Sequence, residues 1–417
     1  MVKFTTEIQL NKSTMSVLSG KKVLLGISGG IAAYKTASLV RLFIKAGAHV
    51  QVIMTPASKD FVTPLTLSTL SKNAVHSTFF NRDDENEKWN NHVELGLWAD
   101  LIIIAPATAN TMSKMANGTC DNLLLATYLS AKCPVYFAPA MDLDMYKHPS
   151  TIASFKILQE FGNTIIPAES GELASGLSGE GRMAEPSTIL SFLEADLESK
   201  LPLKGKNILI TAGPTYEAID PVRFIGNHSS GKMGYDVARS AANLGASVIL
   251  VSGPTHFTVS HSLIQVIQVV TAQEMYEACH QYFDEMDVVI AAAAVADYKP
   301  KIVATQKIKK AEDNLVIELE KTKDILASLG NRKKNQFLIG FALETENEIE
   351  NAKSKIQKKN LDLIVLNSLR DHGAGFGEST NKVTFIDKNF NIEPMELKSK
   401  EAVADDILNK VIANFYE

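Results

Sequence analysis

The chain has 417 residues, of which 45% are hydrophobic and 21% charged, with a formal net charge of −5. This is the composition of an ordinary globular protein, and it lacks the basic excess of a domain that binds nucleic acid. The three cysteines, Cys120, Cys133 and Cys279, show neither CxxC nor metal-ligand spacing, which is typical of a reducing compartment. No apolar run reaches membrane-spanning length and the first twenty residues lack a signal-peptide core, so we predict a cytoplasmic protein without a membrane partner.

The first predicted elements form a βαβ unit. An apolar run at residues 22–27 predicts a strand, and Ser28-Gly29-Gly30 predicts the loop that follows it. Residues 31–46 then predict a helix, and residues 47–54 predict the next strand. A parallel pair of strands joined by a helix is typical of an α/β domain.

Small, polar loops follow three of the predicted strands. The apolar run 101–105 predicts a buried parallel strand that leads into Pro106-Ala-Thr-Ala-Asn110. A strand at 134–138 leads into residues 139–145, and Met54-Thr-Pro-Ala57 closes an earlier strand. Ligands of open α/β sheets bind outside the carboxyl ends of the strands. Because the chain contains no GxGxxG, these loops favour a mononucleotide such as FMN over a dinucleotide.

A domain boundary is readable near residue 200. Residues 186–197 predict a closing helix, and the polar segment 198–205 carries a Pro and a Gly before a new strand begins at Lys206. We therefore predict two doubly wound α/β domains, residues 1–198 and residues 203–417. Each is long enough to bury its own core.

The second half repeats the order of strand, loop and helix. Residues 207–210 predict a strand, residues 211–234 a loop rich in Gly and hydroxyl groups, and residues 235–244 a helix. Such a loop suits phosphate, because backbone N–H groups and the helix N-terminus attract an anion. The spacing of Gly226 and Gly231-Lys232 is similar to a P-loop, but Met233 stands where a Ser or Thr would hold the metal. The sequence therefore argues against a P-loop NTPase.

A resemblance to two enzyme families extends over nearly the whole chain. The first half resembles the flavoprotein phosphopantothenoylcysteine decarboxylase family in Gly26-Ile-Ser-Gly-Gly-Ile-Ala-Ala-Tyr-Lys35, in the segment around His92, in Ala105-Pro-Ala-Thr-Ala109 and in Pro139-Ala-Met. The second half resembles phosphopantothenate–cysteine ligase in Thr211-Ala-Gly-Pro-Thr215, Asn227-His-Ser-Ser-Gly-Lys-Met233, Ala293-Ala-Val-Ala-Asp297 and Lys307-Ile-Lys-Lys310. Together they are similar to the bifunctional coenzyme A biosynthesis proteins of bacteria. The resemblance implies an FMN-binding flavoprotein domain followed by a Rossmann-like ligase domain.

For the first domain, the resemblance implies an FMN-dependent decarboxylase that makes 4'-phosphopantetheine. The substrate thiol is oxidised to a thioaldehyde, CO₂ leaves to give an enethiolate, and the electrons then return. His92 would act as a base or proton carrier, a task that suits an imidazole; the alternative is a histidine that packs at a helix N-terminus. The residues that the resemblance assigns to FMN are Ser28, Gly29, Gly30, Thr55, Ala105, Pro106 and Thr108.

Two substrate-site positions depart from the family pattern. The resemblance assigns Asp142 and Met145 to the substrate. Asp142 stands where the family often has Asn, and an ionised Asp would repel a substrate carboxylate. Ser175 stands where the family's clamp has a proton-donating cysteine, and a hydroxyl is a far weaker acid than a thiol. We expect decarboxylation to survive and the final protonation to use another donor. The Gly- and Ser-rich segment 170–181 favours a mobile lid, although a plain surface loop would have the same composition.

For the second domain, the resemblance implies a ligase for 4'-phosphopantothenate, cysteine and CTP that works with Mg²⁺ through an acyl-cytidylate. Asn227 would stabilise that intermediate. The residues that the resemblance assigns to the nucleotide are Asp297, Lys307, Phe341, Lys355 and Lys359. Without the resemblance, the lysines would be solvated surface residues and Asp297 a helix cap. The metal ligands are left open.

Assembly and the alternative functions follow from analogy. Related flavoprotein domains form trimers and related ligase domains form dimers, so we predict a homo-oligomer. One alternative is a ligase whose flavin domain is regulatory or stops at the oxidised enethiol. Another is an FMN enzyme that makes a peptide-like aminoenethiol, against which the complete ligase motifs argue.

Overall fold

The computed structural model describes residues 16–80, 89–173, 175–309, 315–344, 346–368 and 379–416. The chain divides into two compact units, which meet in sequence at Ser199 and Lys200. Within the described residues, no helix is long and apolar enough to cross a membrane. The prediction that a signal peptide is absent concerns the first twenty residues, and residues 1–15 lie outside the described part of the chain.

The N-terminal unit is built on a six-stranded parallel sheet with the strand order β3-β2-β1-β4-β5-β6. Its elements are β1 (Lys22–Ile27), α1 (Thr36–Lys45), β2 (His49–Met54), α2 (Pro64–Ser71), β3 (Val75–His76), α3 (His92–Trp98), β4 (Leu101–Ala107), α4 (Ala109–Ala116), α5 (Leu123–Ser130), β5 (Val135–Pro139), α6 (Leu143–Lys147), α7 (Pro149–Glu160), β6 (Thr164–Ile165), β7 (Glu169–Glu172), β8 (Ser178–Arg182) and α8 (Pro186–Ser199). Strands β7 and β8 form a separate antiparallel hairpin.

Both faces of this sheet are buried, because successive side chains of a strand point to opposite sides. On β1, Leu25 contributes to the core cluster that contains Phe43 of α1. Its neighbour Leu24 contributes to the cluster on the other face, with Phe137 of β5. The strand order reverses between β1 and β4, which is the point where ligands bind in doubly wound sheets.

The helix predicted at residues 31–46 begins as a 3₁₀ turn, Ile31–Lys35, before α1. The tighter turn contains Lys35, which is only 7% exposed. Its Nζ donates to Met183 O (3.0 Å) and to Glu185 Oε1 (2.9 Å). These inward contacts are long-range in sequence, so a helical pattern could not reveal them.

The C-terminal unit is built on an eight-stranded sheet with the order β13-β12-β9-β14-β17-β18-β20-β21. Its elements are β9 (Asn207–Ala212), β10 (Tyr216–Ala218), β11 (Phe224–Gly226), α9 (Lys232–Asn243), β12 (Ser247–Ser252), β13 (Ile264–Gln268), α10 (Ala272–Tyr282), β14 (Val288–Ala291), β15 (Tyr298–Pro300), β16 (Leu319–Lys321), α11 (Ile325–Arg332), β17 (Phe337–Glu344), α12 (Glu348–Lys359), β18 (Leu363–Ser368), β19 (Thr380–Asn381), β20 (Val383–Asp387), β21 (Ile392–Pro394), β22 (Lys398–Ser399) and α13 (Lys400–Tyr416). The six strands from β13 to β18 are parallel, and β20 and β21 extend the sheet in antiparallel fashion.

Helices cover both faces of this second sheet. Residues of α9 and α13 share one core cluster, which includes Val237 and Ile407. Residues of α10, α11 and α12 share the cluster on the opposite face, which includes Leu329 and Ile356. The predicted α/β class with two doubly wound sheets is therefore confirmed.

The apolar run at residues 288–295 predicts a strand of that length, but the observed strand β14 ends at Ala291. The following backbone leaves the sheet and is held by the loop after β9. Ala293 N donates to Thr211 Oγ1 (3.1 Å), and Ala296 N donates to Thr215 Oγ1 (3.0 Å). The run of alanines is apolar enough to mimic a strand, but these hydroxyl groups replace its ladder of hydrogen bonds.

Candidate functional site

A first cleft lies at the carboxyl edge of the N-terminal sheet, where the strand order reverses. Its cavity has a volume of ≈ 960 Å³. Four of the residues predicted to bind FMN line it: Gly29, Gly30, Thr55 and Thr108. Ser28 lies beneath them, buried, and its Oγ donates to Pro106 O (2.6 Å) and accepts from Thr108 N (3.0 Å). Ser28 thus joins the loops after β1 and β4.

The floor of the first cleft fits a flat, polar cofactor. A Cβ on Gly29 would lie 2.8 Å from Ala57 Cβ, so these loops approach more closely than any side chain permits. Thr55 Oγ1 is buried, and none of the described residues provides it with a hydrogen-bond partner. A buried hydroxyl without a partner is costly unless a ligand supplies one. Glycines let the backbone of these loops approach FMN closely, and the unpaired hydroxyl of Thr55 could form a hydrogen bond with it.

The outer wall of the first cleft carries the predicted substrate residues Asp142, Met145 and Ser175. Asp142 caps α6 and accepts a hydrogen bond from Leu143 N (2.7 Å). Met141 N donates to Gly181 O (3.0 Å), which attaches hairpin β7–β8 to this wall. The segment predicted as a lid or loop is therefore a hairpin, with the exposed Ser175 in its turn.

An ionic network that the sequence did not predict anchors this hairpin. Lys35 Nζ and Arg182 Nη2 both donate to Glu185 Oε1, at 2.9 Å and 2.5 Å. The hydrogen bond from Lys35 and the charge of Lys35, with a smaller contribution from Arg182, hold the pKa of Glu185 below its usual range. The only sequence signal was that Lys35 ends the motif starting at Gly26, which does not identify partners about 150 residues away.

His92 does not line the first cleft within a single chain. It begins α3, and its ring lies 6.1 Å from the rings of both Phe79 and Trp89. Its Nδ1 is buried without a hydrogen-bond partner among the described residues. The structure therefore places this predicted catalytic residue in an aromatic setting, apart from the residues predicted to bind FMN.

A second cleft lies at the carboxyl edge of the C-terminal sheet, with a volume of ≈ 740 Å³. It brings together residues from nine separate segments of the chain, the first at Thr211 and the last at Lys400. The predicted site residues that line it are Asn227, Asp297, Phe341, Lys355 and Lys359. Lys321 and Lys323 also line it, so four lysines are among its lining residues together with Lys355 and Lys359.

Asn227 is held across the second cleft by its side chain. Its Nδ2 donates to Ala294 O (3.1 Å) and to Val295 O (3.0 Å). Both amide hydrogens are therefore directed at the backbone that follows β14. A substrate that is to receive a hydrogen bond from this amide must displace one of these carbonyl groups.

The two predicted lysines of α12 have different surroundings. Lys355 Nζ donates to Phe341 O (2.8 Å). Burial, and next the charge of Lys359, lowers the pKa of Lys355 below the ordinary lysine value. Lys359 Nζ pairs with Asp324 Oδ2 (2.8 Å), the carboxylate that caps α11. Burial alone would raise the pKa of Asp324, but the hydrogen bond from Lys359 leads to a net decrease.

Lys307 lies outside the second cleft, although the resemblance assigned it to the nucleotide. It is exposed, and its neighbour Ile308 is tied elsewhere: Ile308 N donates to Asp220 Oδ2 (3.2 Å). The same carboxylate group accepts from Val222 N and Arg223 N, both at 2.8 Å. Lys310, which ends this motif, lies outside the described residues.

Three further polar residues line the second cleft and were missed by the sequence reasoning: Asn367, Asn381 and Lys400. Asn367 directly follows the apolar run of β18. A polar residue after an apolar run is the same signal that predicted the other ligand-binding loops. Asn381 and Lys400 carry no such signal, because they come from β19 and from the first residue of α13. Within the described residues, no group of three or more His, Cys, Asp or Glu could hold a metal ion.

Comparisons with known proteins match both units. The family model "Flavoprotein" matches residues 11–198, and the family model "DNA/pantothenate metabolism flavoprotein C-terminal domain" matches residues 203–415. The fold and clefts thus define a flavoprotein joined to a pantothenate-metabolism domain.

The relatives define the family more narrowly. The chain is 45% identical over 399 residues to the coenzyme A biosynthesis bifunctional protein CoaBC of Bacillus subtilis (strain 168), covering 95% of this chain and 98% of that protein. It is also 55% identical over 356 residues to a protein named cysteine/cysteine sulfinic acid decarboxylase from an unknown prokaryotic organism, covering 84% of this chain and 99% of that protein. The crystal structure of the C-terminal domain of a CoaBC protein shares 46% identity and a TM-score of 0.45, covering 52% of this chain and 99% of that one. The chain belongs to the family of coenzyme A biosynthesis bifunctional proteins, as its motifs predicted.

Proposed function

We propose that this chain performs two successive steps of coenzyme A biosynthesis. The C-terminal unit joins cysteine to 4'-phosphopantothenate with CTP, and the N-terminal unit decarboxylates the product to 4'-phosphopantetheine with FMN. The observation that carries the proposal is the 45% identity to a bifunctional relative over 95% of the chain, which spans both clefts. We assign the decarboxylase to residues 1–198 and the ligase to residues 203–417.

In the ligase unit, the ammonium groups of Lys355 and Lys359 bind the triphosphate of CTP. Phe341 packs against the nucleotide, and Asp297 faces the same cleft. Mg²⁺ accompanies the triphosphate, whose oxygen atoms are the hard ligands that this ion prefers. Lys307 reaches the phosphates only if its exposed segment moves towards the cleft. Asn227 stabilises the acyl-cytidylate that forms when the substrate carboxylate displaces pyrophosphate from CTP.

In the flavoprotein unit, Gly29, Gly30, Thr55 and Thr108 hold FMN, with Ser28 and the Ala105–Pro106 segment supporting them from below. FMN supplies the two-electron oxidation and re-reduction that loss of CO₂ from an aminothiol requires. The protein orients the substrate between this floor and hairpin β7–β8, where Asp142 and Met145 line the wall.

His92 completes the first site from a second copy of the chain, so the protein acts as a homo-oligomer. Its proposed location is the cytoplasm. Helix α3 leaves Leu97 60% exposed, and the nearby Trp89 is 53% exposed. A contact between two copies of the chain would cover these exposed apolar side chains. They lie around His92, whose buried Nδ1 has no hydrogen-bond partner among the described residues. The imidazole then takes the proton from the substrate thiol.

A second candidate reaction is decarboxylation of free cysteine or cysteine sulfinate by the first cleft. The 55% identity to a relative of that name favours it. Because both candidates release CO₂ from a cysteine carboxylate, they differ in what else the cleft must bind. Only the main proposal requires the product of the second cleft as a substrate.

A coupled assay with mass-spectrometric detection tests both candidates. Purified full-length protein with FMN receives 4'-phosphopantothenate, cysteine, CTP and Mg²⁺, and parallel samples receive only cysteine or only cysteine sulfinate. We expect 4'-phosphopantetheine in the first sample. Accumulated phosphopantothenoylcysteine would contradict the decarboxylase assignment, and a decarboxylated product from cysteine or cysteine sulfinate alone would establish the second candidate.

A further inference from the structure

The positive side chains of the first cleft are engaged within the chain, whereas its carboxylate Asp142 is not. Among the described residues, the cations that line the cleft are Lys35, Lys114 and Arg182. The first and the last of them pair with the same Glu185 Oε1, at 2.9 Å and 2.5 Å. The ammonium of Lys114 pairs with a carboxylate oxygen of its own, at 2.5 Å.

Asp142 has no such partner. It lines the cleft and is half-buried, and its Oδ1 accepts a hydrogen bond from Leu143 N (2.7 Å). Among the described residues, no Lys, Arg or His lies within ion-pair distance of this carboxylate, and no group donates a hydrogen bond to its Oδ2. A cationic group bound in the cleft can therefore pair with it.

The hydrogen bond from Leu143 does not require a charge on residue 142. It caps α6, and Asn caps a helix about as well as Asp. The family pattern often has Asn at this position, which would make the same cap. Asp144 already places a negative charge in the first turn of α6. The charge of Asp142 is therefore available to a ligand rather than needed by the helix.

This charge distinguishes two substrates that differ at one nitrogen. Phosphopantothenoylcysteine and free cysteine have the same thiol and carboxylate. In the first, the nitrogen next to the carboxylate is a neutral amide with one hydrogen, whereas in free cysteine it is an ammonium with three. An ammonium can form a charge-assisted hydrogen bond with Asp142 and offset the repulsion between the two carboxylates.

We propose that Asp142 binds the ammonium group of free cysteine and thereby lets the first cleft decarboxylate this amino acid directly. The bond to the carboxylate breaks, CO₂ leaves and a proton takes its place, so that cysteine gives cysteamine. The two electrons that FMN removes from the thiol return to the product, so no external oxidant is needed. This inference rests on the proposed FMN-dependent decarboxylase and makes Asp142 the residue that selects a substrate with a free ammonium.

The kinetic test compares free cysteine with phosphopantothenoylcysteine on the full-length protein loaded with FMN. We expect Asp142→Asn to lower kcat/KM for cysteine about tenfold or more, because a charge-assisted hydrogen bond is lost. The value for phosphopantothenoylcysteine should not fall, because its amide carries no charge and Asn removes the repulsion of its carboxylate. Mass spectrometry of cysteamine and 4'-phosphopantetheine measures both rates.

A binding measurement isolates the nitrogen without turnover. Cysteamine and N-acetylcysteamine both lack the carboxylate and differ only in having an ammonium or an amide. In calorimetry on the FMN-loaded protein, we expect cysteamine to bind more tightly than N-acetylcysteamine. Asp142→Asn should weaken binding of cysteamine about tenfold or more and change that of N-acetylcysteamine less than about twofold.

Asp144→Asn is the matched control. It removes one negative charge from α6 at a position that does not line the cleft, so the kinetics and both dissociation constants should be unchanged. An equal loss in this variant would mean that the charge of the helix, and not Asp142, attracts the ammonium.

The same fractional change for cysteine and phosphopantothenoylcysteine in Asp142→Asn would overturn the proposal, and so would absence of cysteamine from the unsubstituted protein. If Asp142→Asn does not fold, equal affinities of the unsubstituted protein for cysteamine and N-acetylcysteamine would be enough to contradict it. Conversion of cysteine without any conversion of phosphopantothenoylcysteine would instead refute the main function proposed for the first cleft.

Discussion

At the scale of single residues, Ser175 differs by one atom from the proton-donating cysteine of the family pattern. It lies in the turn of hairpin β7–β8 and lines the first cleft, where the family pattern has a thiol. A thiol has a reference pKa of about 8.5, whereas a serine hydroxyl is far less acidic. We predict that Ser175→Cys accelerates the final protonation at least about tenfold, as expected of a well-placed general acid.

The measurement is the ratio of 4'-phosphopantetheine to the oxidised enethiol, determined by mass spectrometry during single turnover. Ser178→Cys is the matched control, because Ser178 is exposed on β8 and does not line the cleft. An identical product ratio in Ser175→Cys and the unsubstituted protein would show that another group or water already donates this proton.

The proposed role of Lys355 predicts that nucleotide binding is sensitive to pH. Burial and the neighbouring Lys359 lower its pKa, so it loses its proton at a lower pH than an ordinary lysine. Below this lowered pKa the ammonium attracts the triphosphate, and above it the neutral amine does not. We therefore predict that KM for CTP in the unsubstituted protein rises as the pH passes through this lowered pKa, below the pH of about 10.4 at which an ordinary lysine titrates.

Lys355→Arg should flatten this profile, because a guanidinium stays charged over the whole range. The measurement is KM for CTP at each pH, determined from pyrophosphate release at fixed concentrations of the other substrates. Lys353→Arg, on the same helix and outside the cleft, should retain the original profile. A rise of equal size in Lys355→Arg would mean that a different group titrates.

At the level of elements, the loop after β1 depends on the absence of a side chain. A Cβ on Gly29 would lie 2.8 Å from Ala57 Cβ and 3.0 Å from Ala57 C. We predict that Gly29→Ala separates the two loops and weakens FMN binding about fivefold or more, as overpacking of this kind typically costs. The flavin absorbance per chain after purification measures the loss.

The ligase activity of the same Gly29→Ala preparation is its internal control. Gly29 belongs to the N-terminal unit, so pyrophosphate release by the C-terminal unit should be unchanged. Full flavin content in this variant would contradict the importance of the close approach. Loss of both activities would indicate a general folding defect instead.

Helices and strands were predicted well where the apolar pattern of a few neighbouring residues determines them. They were predicted less well where hydrogen bonds to residues distant in sequence determine the backbone conformation. The strand at residues 22–27 agrees with β1, because its apolar run reflects burial on both faces. Residues 292–295 look equally strand-like, yet Thr211 draws this backbone out of the sheet. The 3₁₀ turn before α1 was also missed because of contacts that are distant in sequence. Its residue Lys35 donates hydrogen bonds to Met183 and Glu185.

At the level of the whole molecule, two active sites in separate units should be blocked independently. We predict that His92→Asn accumulates phosphopantothenoylcysteine, with decarboxylation slowed about a hundredfold by loss of the base. Asn227→Asp should release no pyrophosphate, because its amide donor becomes an acceptor, yet it should convert added phosphopantothenoylcysteine. Mass spectrometry of the products distinguishes the two blocks.

Mixing the His92→Asn and Asn227→Asp proteins should restore 4'-phosphopantetheine formation, since each supplies the step that the other lacks. Ligase activity lost in His92→Asn, or decarboxylase activity lost in Asn227→Asp, would contradict the separation of the two steps. The unmixed variants at doubled concentration provide the baseline for this comparison.

Local sequence was sufficient to predict two α/β units and most of their strands, because apolar periodicity and the positions of Gly and Pro act over a few residues. Motif order was sufficient to predict the family. Only the tertiary structure showed which residues share a cleft: it brought Asn227 and Lys355 together, left His92 and Lys307 outside, and added Lys400. These relations depend on the order of strands at the carboxyl edge and on which face each helix covers, and both are set by long-range packing.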